Sequence, residues 1–123
     1  MSTTAPDPSP HVPLAPAPLH IVLALNRGER HGYALMQDVE ELSDGVIKMG
    51  PGTLYGAIKK LAEQGLIEQT DVRPDPELDD QRRKYYRLTA LGQAVCDAEI
   101  QRLANLVERT RSAVAGRLLG EVS

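Results

Sequence analysis

The C-terminal stretch constrains the fold most. From Thr89 to about Leu119 the chain contains no proline, and Thr89 is a residue type that caps helix N-termini. About 30 residues rising 1.5 Å each give a helix of roughly 45 Å, longer than a small domain covers. Leu103, Val107, Val114 and Leu118 keep spacings close to a heptad seam, and Ile100 adds to the same side. Little chain is left to cover that seam. The simplest partner is a second copy of the chain; the alternative is that the helix folds back on its own domain. Ile100, Leu103, Val107, Val114 and Leu118 are accordingly the expected dimer interface.

At 123 residues the chain has room for one domain. Six of the nine prolines fall in its first 18 residues, among Ser, Thr, Ala and Asp. Such a stretch buries too little to offset its ordering entropy, so residues 1–14 are expected to be a disordered, proline-rich tail. Residues 15–89 would form the folded domain and 90–120 the dimerisation helix. Trp and Phe are absent, and Tyr33, Tyr55, Tyr85 and Tyr86 are the only aromatics of that class, so the core must be aliphatic and small.

Within 15–89 the hydrophobic spacing predicts three helices and a hairpin. The first begins near Pro16 or Pro18, is nearly all apolar over 19–25, and stops around Asn26 to Gly28. A second runs from about Gly32 to Leu42, with Tyr33, Met36, Val39 and Leu42 as its buried stripe and Asp38, Glu40 and Glu41 on the other side. A third starts at Pro51, buries Leu54, Ile58 and Leu61, and ends at Gly65. Residues 66–72 and 84–88 read as strands, joined by a long acidic loop with two prolines. In the second strand Tyr86 is expected inward with Leu88, and Tyr85 on the opposite face toward the terminal helix. The fold class is thus mainly α with a small β-hairpin: a winged helix-turn-helix plus a long C-terminal dimerisation helix.

In such a layout the third helix enters the DNA major groove and the hairpin touches the backbone beside it. With Leu54, Ile58 and Leu61 inward, a 100° step turns Gly52, Gly56, Lys59 and Glu63 outward, flanked by Thr53 and Lys60 on one side and Tyr55 on the other. A helical glycine costs about 1 kcal/mol against alanine, so two on one exposed face suggest close approach of something large. For Gly52, membership of the turn into the helix is an equal reading. Thr53 and Tyr55 can donate to phosphates or base edges, and Lys59 and Lys60 suit phosphates; half-buried packing for Tyr55 and a solvated face for the lysines are the alternatives. Arg82, Arg83, Lys84 and Arg87 form the densest positive run, on the returning side of the wing, with Asp75, Glu77, Asp79 and Asp80 just before them. Double-stranded DNA is therefore the expected partner, although the net charge is −3.

Several motifs, taken in order, resemble one family. They are His31-Gly-Tyr-Ala-Leu35, Pro51-Gly-Thr-Leu-Tyr55 with Ala57-Ile-Lys-Lys-Leu61, Gly65-Leu-Ile-Glu68, and Arg82-Arg-Lys-Tyr-Tyr-Arg-Leu-Thr89 with Gly92. Together they resemble the PadR family of bacterial transcription regulators, from about Leu19 into the final helix. The resemblance implies a winged helix-turn-helix homodimer that binds an inverted-repeat operator, usually as a repressor, and a terminal helix that makes the dimer. The single terminal helix is similar to the smaller PadR subgroup. By this resemblance Thr53, Tyr55, Arg82 and Arg83 are the foremost DNA contacts. Two departures stand out: the long acidic insert over 74–80, and Leu103 at about the place where some small members carry a ligand-stacking aromatic.

Other functions find less support. His11, His20 and His31 are scattered, and no His/Cys/Asp cluster has metal-ligand spacing. His31 reads as a local cap. The glycines match neither a P-loop nor a dinucleotide fingerprint. No catalytic residue, metal or cofactor is expected. Cys96, the only cysteine, reads as a small packing residue. No stretch approaches the roughly 20 apolar residues of a membrane span, and the N-terminus lacks the pattern of a secretory signal; the expected location is the cytoplasm. Two further readings stay open: a winged-helix protein-interaction module, and a sensor of an unidentified small-molecule effector with secondary DNA binding.

Overall fold

The computed structural model describes residues 6–70 and 84–118. After a 3-10 turn at Ser9–His11, its elements are α1 (Pro16–Leu25), β1 (Arg30–His31), α2 (Gly32–Leu42), α3 (Pro51–Glu63), β2 (Ile67–Thr70), β3 (Tyr85–Leu88) and α4 (Ala90–Leu118). Pro16 opens α1, where its missing N–H costs nothing. Asn26 closes it, and Gly28 follows at φ +128°. Gly65, at φ +78°, turns the chain out of α3 into β2, a backbone state that glycine adopts without a Cβ penalty.

One aliphatic core joins these elements. Ile21, Val22 and Leu25 of α1 meet Leu35 and Val39 of α2, Leu54, Ile58 and Leu61 of α3, and Val95 and Cys96 of α4. The nearly all-apolar α1 is central, as a helix with little amphipathic contrast must be. Burying each such side chain contributes roughly 1.5–3 kcal/mol.

The sheet has three strands, not the expected two. β3 lies in the middle, antiparallel to β2 and to the short β1, with Arg30 opposite Tyr86 and His31 opposite Tyr85. Two residues carry no periodicity, so β1 exists only through its pairing with β3. β3 is paired along both edges, and both Tyr85 and Tyr86 are buried. Tyr86 joins the core as expected. Tyr85 packs edge-to-face on His31 at 5.5 Å, at the start of α2.

Two readings of α2 are corrected. Tyr33 is 59% exposed, whereas Leu35 is fully buried. The α1 side of the helix selects Leu35, Asp38 and Val39, a stripe rotated from the one that the spacing of three suggested. Asp38 is buried because Arg30 of β1 reaches it with two hydrogen bonds, at 2.8 and 2.9 Å, satisfying a carboxylate that burial alone would penalise.

The proline-rich arm also differs from expectation. Residues 1–5 lie outside the described residues, but Val12 and Leu14 pack on the core. The Leu14 N–H donates to Glu99 Oε2 at 2.8 Å. Glu99 is fully buried in α4 and is also held by Arg102, at 2.6 and 3.1 Å. The Arg102 hydrogen bonds, chiefly, hold its carboxyl below the ordinary value of 4.5 against the opposing effect of burial. The arm's order thus comes from a partner 85 residues away, which composition does not reveal.

Candidate nucleic-acid interface

Of the four helix starts, those of α2 and α4 carry a side-chain cap, and those of α1 and α3 do not. At α2 the His31 ring accepts from the Ala34 N–H at 3.1 Å, as a local cap should. At α4 the Thr89 hydroxyl accepts from the Gly92 N–H at 3.0 Å and donates to the Gly65 carbonyl. α3 begins at Gly50 with no side-chain cap, and Pro51 removes one of its free donors. Among the described residues no side chain accepts from its remaining first-turn N–H groups, which lie at the positive end of its dipole.

The outer face of α3 follows the helical wheel. Leu54, Ile58 and Leu61 are buried, whereas Gly52, Thr53, Gly56, Lys59, Lys60 and Glu63 are exposed. A Cβ at Gly52 or Gly56 would meet nothing within 4 Å. Their lack of side chains therefore serves no internal packing and leaves the backbone open to an approaching surface.

Two flanks frame this face. On one, the Tyr55 ring lies over Gly32, and a Cβ at Gly32 would collide with Tyr55 Oη. Tyr55 remains 43% exposed, so it combines the packing and surface roles that the sequence left open. The exposed Tyr33 is the next residue after Gly32, a surface position that the stripe reading missed. On the other flank lies the N-terminal arm, beside Thr53, Gly56 and Lys60.

The wing is described only in part. Lys84 is exposed at the start of its returning side. Arg82, Arg83 and the acidic insert 74–80 lie outside the described residues. Arg87 is committed to structure: it pairs with Glu68 on β2 at 3.0 Å and with Glu29 at 3.6 Å. The wing is docked to α4 at Gly92, where a Cβ would collide with the Leu66 carbonyl. Only glycine allows that crossing, although the sequence offered Gly92 as no more than part of a motif.

The second surface is α4. Its early turns bury Val95, Cys96 and Glu99. Beyond them Ile100, Leu106, Val107 and Val114 are all more than 40% exposed, and Leu103 is half-buried. The side chain of Leu118 lies outside the described residues. Cys96 is a packing residue: burial, first, pushes its thiol up to about 11. Among the described residues no group of His, Cys, Asp and Glu could hold a metal ion, and no helix is long and apolar enough to cross a membrane.

The model of the transcriptional regulator PadR-like family matches residues 21–98. The chain belongs to this family. An uncharacterised 37.1 kDa protein in transposon TN4556 of Streptomyces fradiae is 34% identical over 93 residues, covering 76% of this chain and 24% of that protein. The chain thus spans about a quarter of that relative's length. Protein X of Lysinibacillus sphaericus, also uncharacterised, is 29% identical over 82 residues, covering 65% of this chain and 71% of the relative. Among solved structures, RosR of H. salinarum is 27% identical with a TM-score of 0.60, covering 89% of this chain and 98% of that one. A PadR family transcription regulator from Clostridium difficile shares the fold at a TM-score of 0.64 and 22% identity, over 81% of this chain and 99% of that one. The family is one of transcriptional regulators, and the fold is a winged helix.

Proposed function

We propose that this PadR-family chain is a repressor that binds an inverted-repeat operator as a homodimer, with α3 in the major groove of each half-site. The observation that carries this reading is the outer face of α3. It combines an uncapped N-terminus, two glycines with open space above them, and the cations Lys59 and Lys60. A phosphate at that N-terminus meets free N–H groups and the positive end of the helix dipole. Gly52 and Gly56 admit the duplex close to the backbone, Thr53 and Tyr55 donate hydrogen bonds to it, and Lys60 joins Lys59 on the phosphates. Lys84, with Arg82 and Arg83, extends the contact along the wing.

The exposed apolar side of α4 supports the dimer. Ile100, Leu103, Val107, Val114 and Leu118 form a seam that a second copy would cover. A two-fold protein reads a two-fold site, with half-sites about one helical turn or a little more apart. Fluorescence anisotropy with the chain's own upstream duplex, a scrambled control and two salt concentrations tests the reading. Preference for the upstream duplex, with affinity falling steeply with salt, is the expected result. Equal weak binding to both duplexes would turn attention to a protein-interaction role.

A further inference from the structure

The N-terminal arm and α3 enclose a groove of about 640 Å³, within the size range of small-molecule sites. Pro10, Pro13, Leu14 and Pro18 of the arm and of early α1 make one wall. Gly56, Ala57 and Leu61 of α3 make the floor opposite. Polar residues line it as well: Thr53, Gln64, Lys60 and His11. None of the described lining residues is acidic, and Lys60 makes no ion pair with any described residue. The nearby Asp7 carboxylate is already engaged by Ser9 through its N–H and its hydroxyl.

The arm is poorly suited to holding DNA itself. No lysine or arginine occurs before Arg27, and a backbone-tracking arm draws its affinity from cations. Its wall is nevertheless built before any ligand arrives, because the fully buried Glu99 fixes Leu14 from behind. A preformed apolar slot with a cation at its edge suits an apolar body that carries one anionic group.

We propose that this groove is an effector site for an amphipathic organic anion, its apolar body between the proline wall and α3 and its charge at Lys60. Gly52, Thr53, Gly56 and Lys60 line the groove and also belong to the DNA face. Ligand and DNA would then exclude each other directly, without a conformational relay. This last consequence rests on the DNA-binding reading above; the ligand site does not.

The full chain is titrated with 1-anilinonaphthalene-8-sulfonate, an apolar fluorophore with one anionic group, and with the neutral N-phenyl-1-naphthylamine. The exposed Ala15 lines the groove, so Ala15→Trp fills it from the arm side. Gln64→Trp fills it from the far end of α3 and serves if the first variant melts early. Either filled variant should weaken the sulfonate probe at least about tenfold, a change of roughly 1.4 kcal/mol. The neutral probe should bind more weakly than the charged one, and the upstream duplex should displace the sulfonate. Unchanged probe affinity in both folded variants overturns the site. Equal affinity for both probes overturns its anion preference. Probe and duplex bound together overturn the exclusion. Variant-sensitive probe binding by a chain that binds no DNA would uphold the site and sink the DNA reading instead.

Discussion

α3 and α4 treat their apolar residues in opposite ways. α3 turns Leu54, Ile58 and Leu61 into its own domain and presents glycines, a threonine and lysines to solvent. α4 buries only its early turns, then presents Ile100, Leu106, Val107 and Val114. A polar, cationic face with open backbone suits a polyanion. An apolar stripe on a helix of 29 residues suits another apolar stripe. The contrast teaches that one core of this size saturates early: α1, α2, α3 and the sheet fill it, and among the described residues the far half of α4 is left exposed.

The sharpest way to break the contrast is Val107→Glu. A charge placed in the seam should convert a two-chain particle into a one-chain particle in sedimentation equilibrium, with the melting of the winged-helix domain little changed. An unchanged mass would move the partner surface off this stripe. Leu54→Ala acts on the other helix. It removes a fully buried side chain and should cost about 2–5 kcal/mol in urea unfolding. A loss well under 1 kcal/mol would mean that the site collapses around the smaller residue.

Glu99→Gln tests the junction between the arm and α4. Replacing a charged hydrogen-bond acceptor for Arg102 should cost about 1.5–3 kcal/mol near neutral pH. The folded-state carboxyl lies below its ordinary 4.5, so its stabilisation is full above that value and is lost as pH falls through the depressed one. Wild type should therefore weaken with acid more steeply than the glutamine variant; parallel acid limbs would count against the assignment. Smallest is Lys59→Gln on the exposed face of α3. It should leave unfolding unaffected and lower the salt slope of DNA binding by about 0.9. An identical slope would take Lys59 off the phosphates.

Much of this was legible in the sequence because the signals are local. The bounds of α2 and α3, the caps at His31 and Thr89, and the inward triad of α3 depend on neighbours within a turn or two. The outward set from Gly52 to Lys60 followed from the same 100° step. Long-range partners account for the misses. Tyr33 faces solvent, and Asp38 is buried, because α1 and Arg30 decide which stripe of α2 is covered. Glu68 and Glu29 hold Arg87 across the sheet, pairings that its place in a run of cations did not reveal.

The sequence by itself determined the four helices, the two strands of the hairpin and the outward face of α3, since helical periodicity and turn chemistry act over a few residues. Only the tertiary structure decided how surfaces meet. It placed β1 beside β3, Tyr55 over Gly32, and Leu66 against Gly92. It also tied the proline arm to Glu99 and so made a groove against α3. Each of these joins residues far apart in the chain, and such contacts follow from how the elements pack rather than from any local pattern.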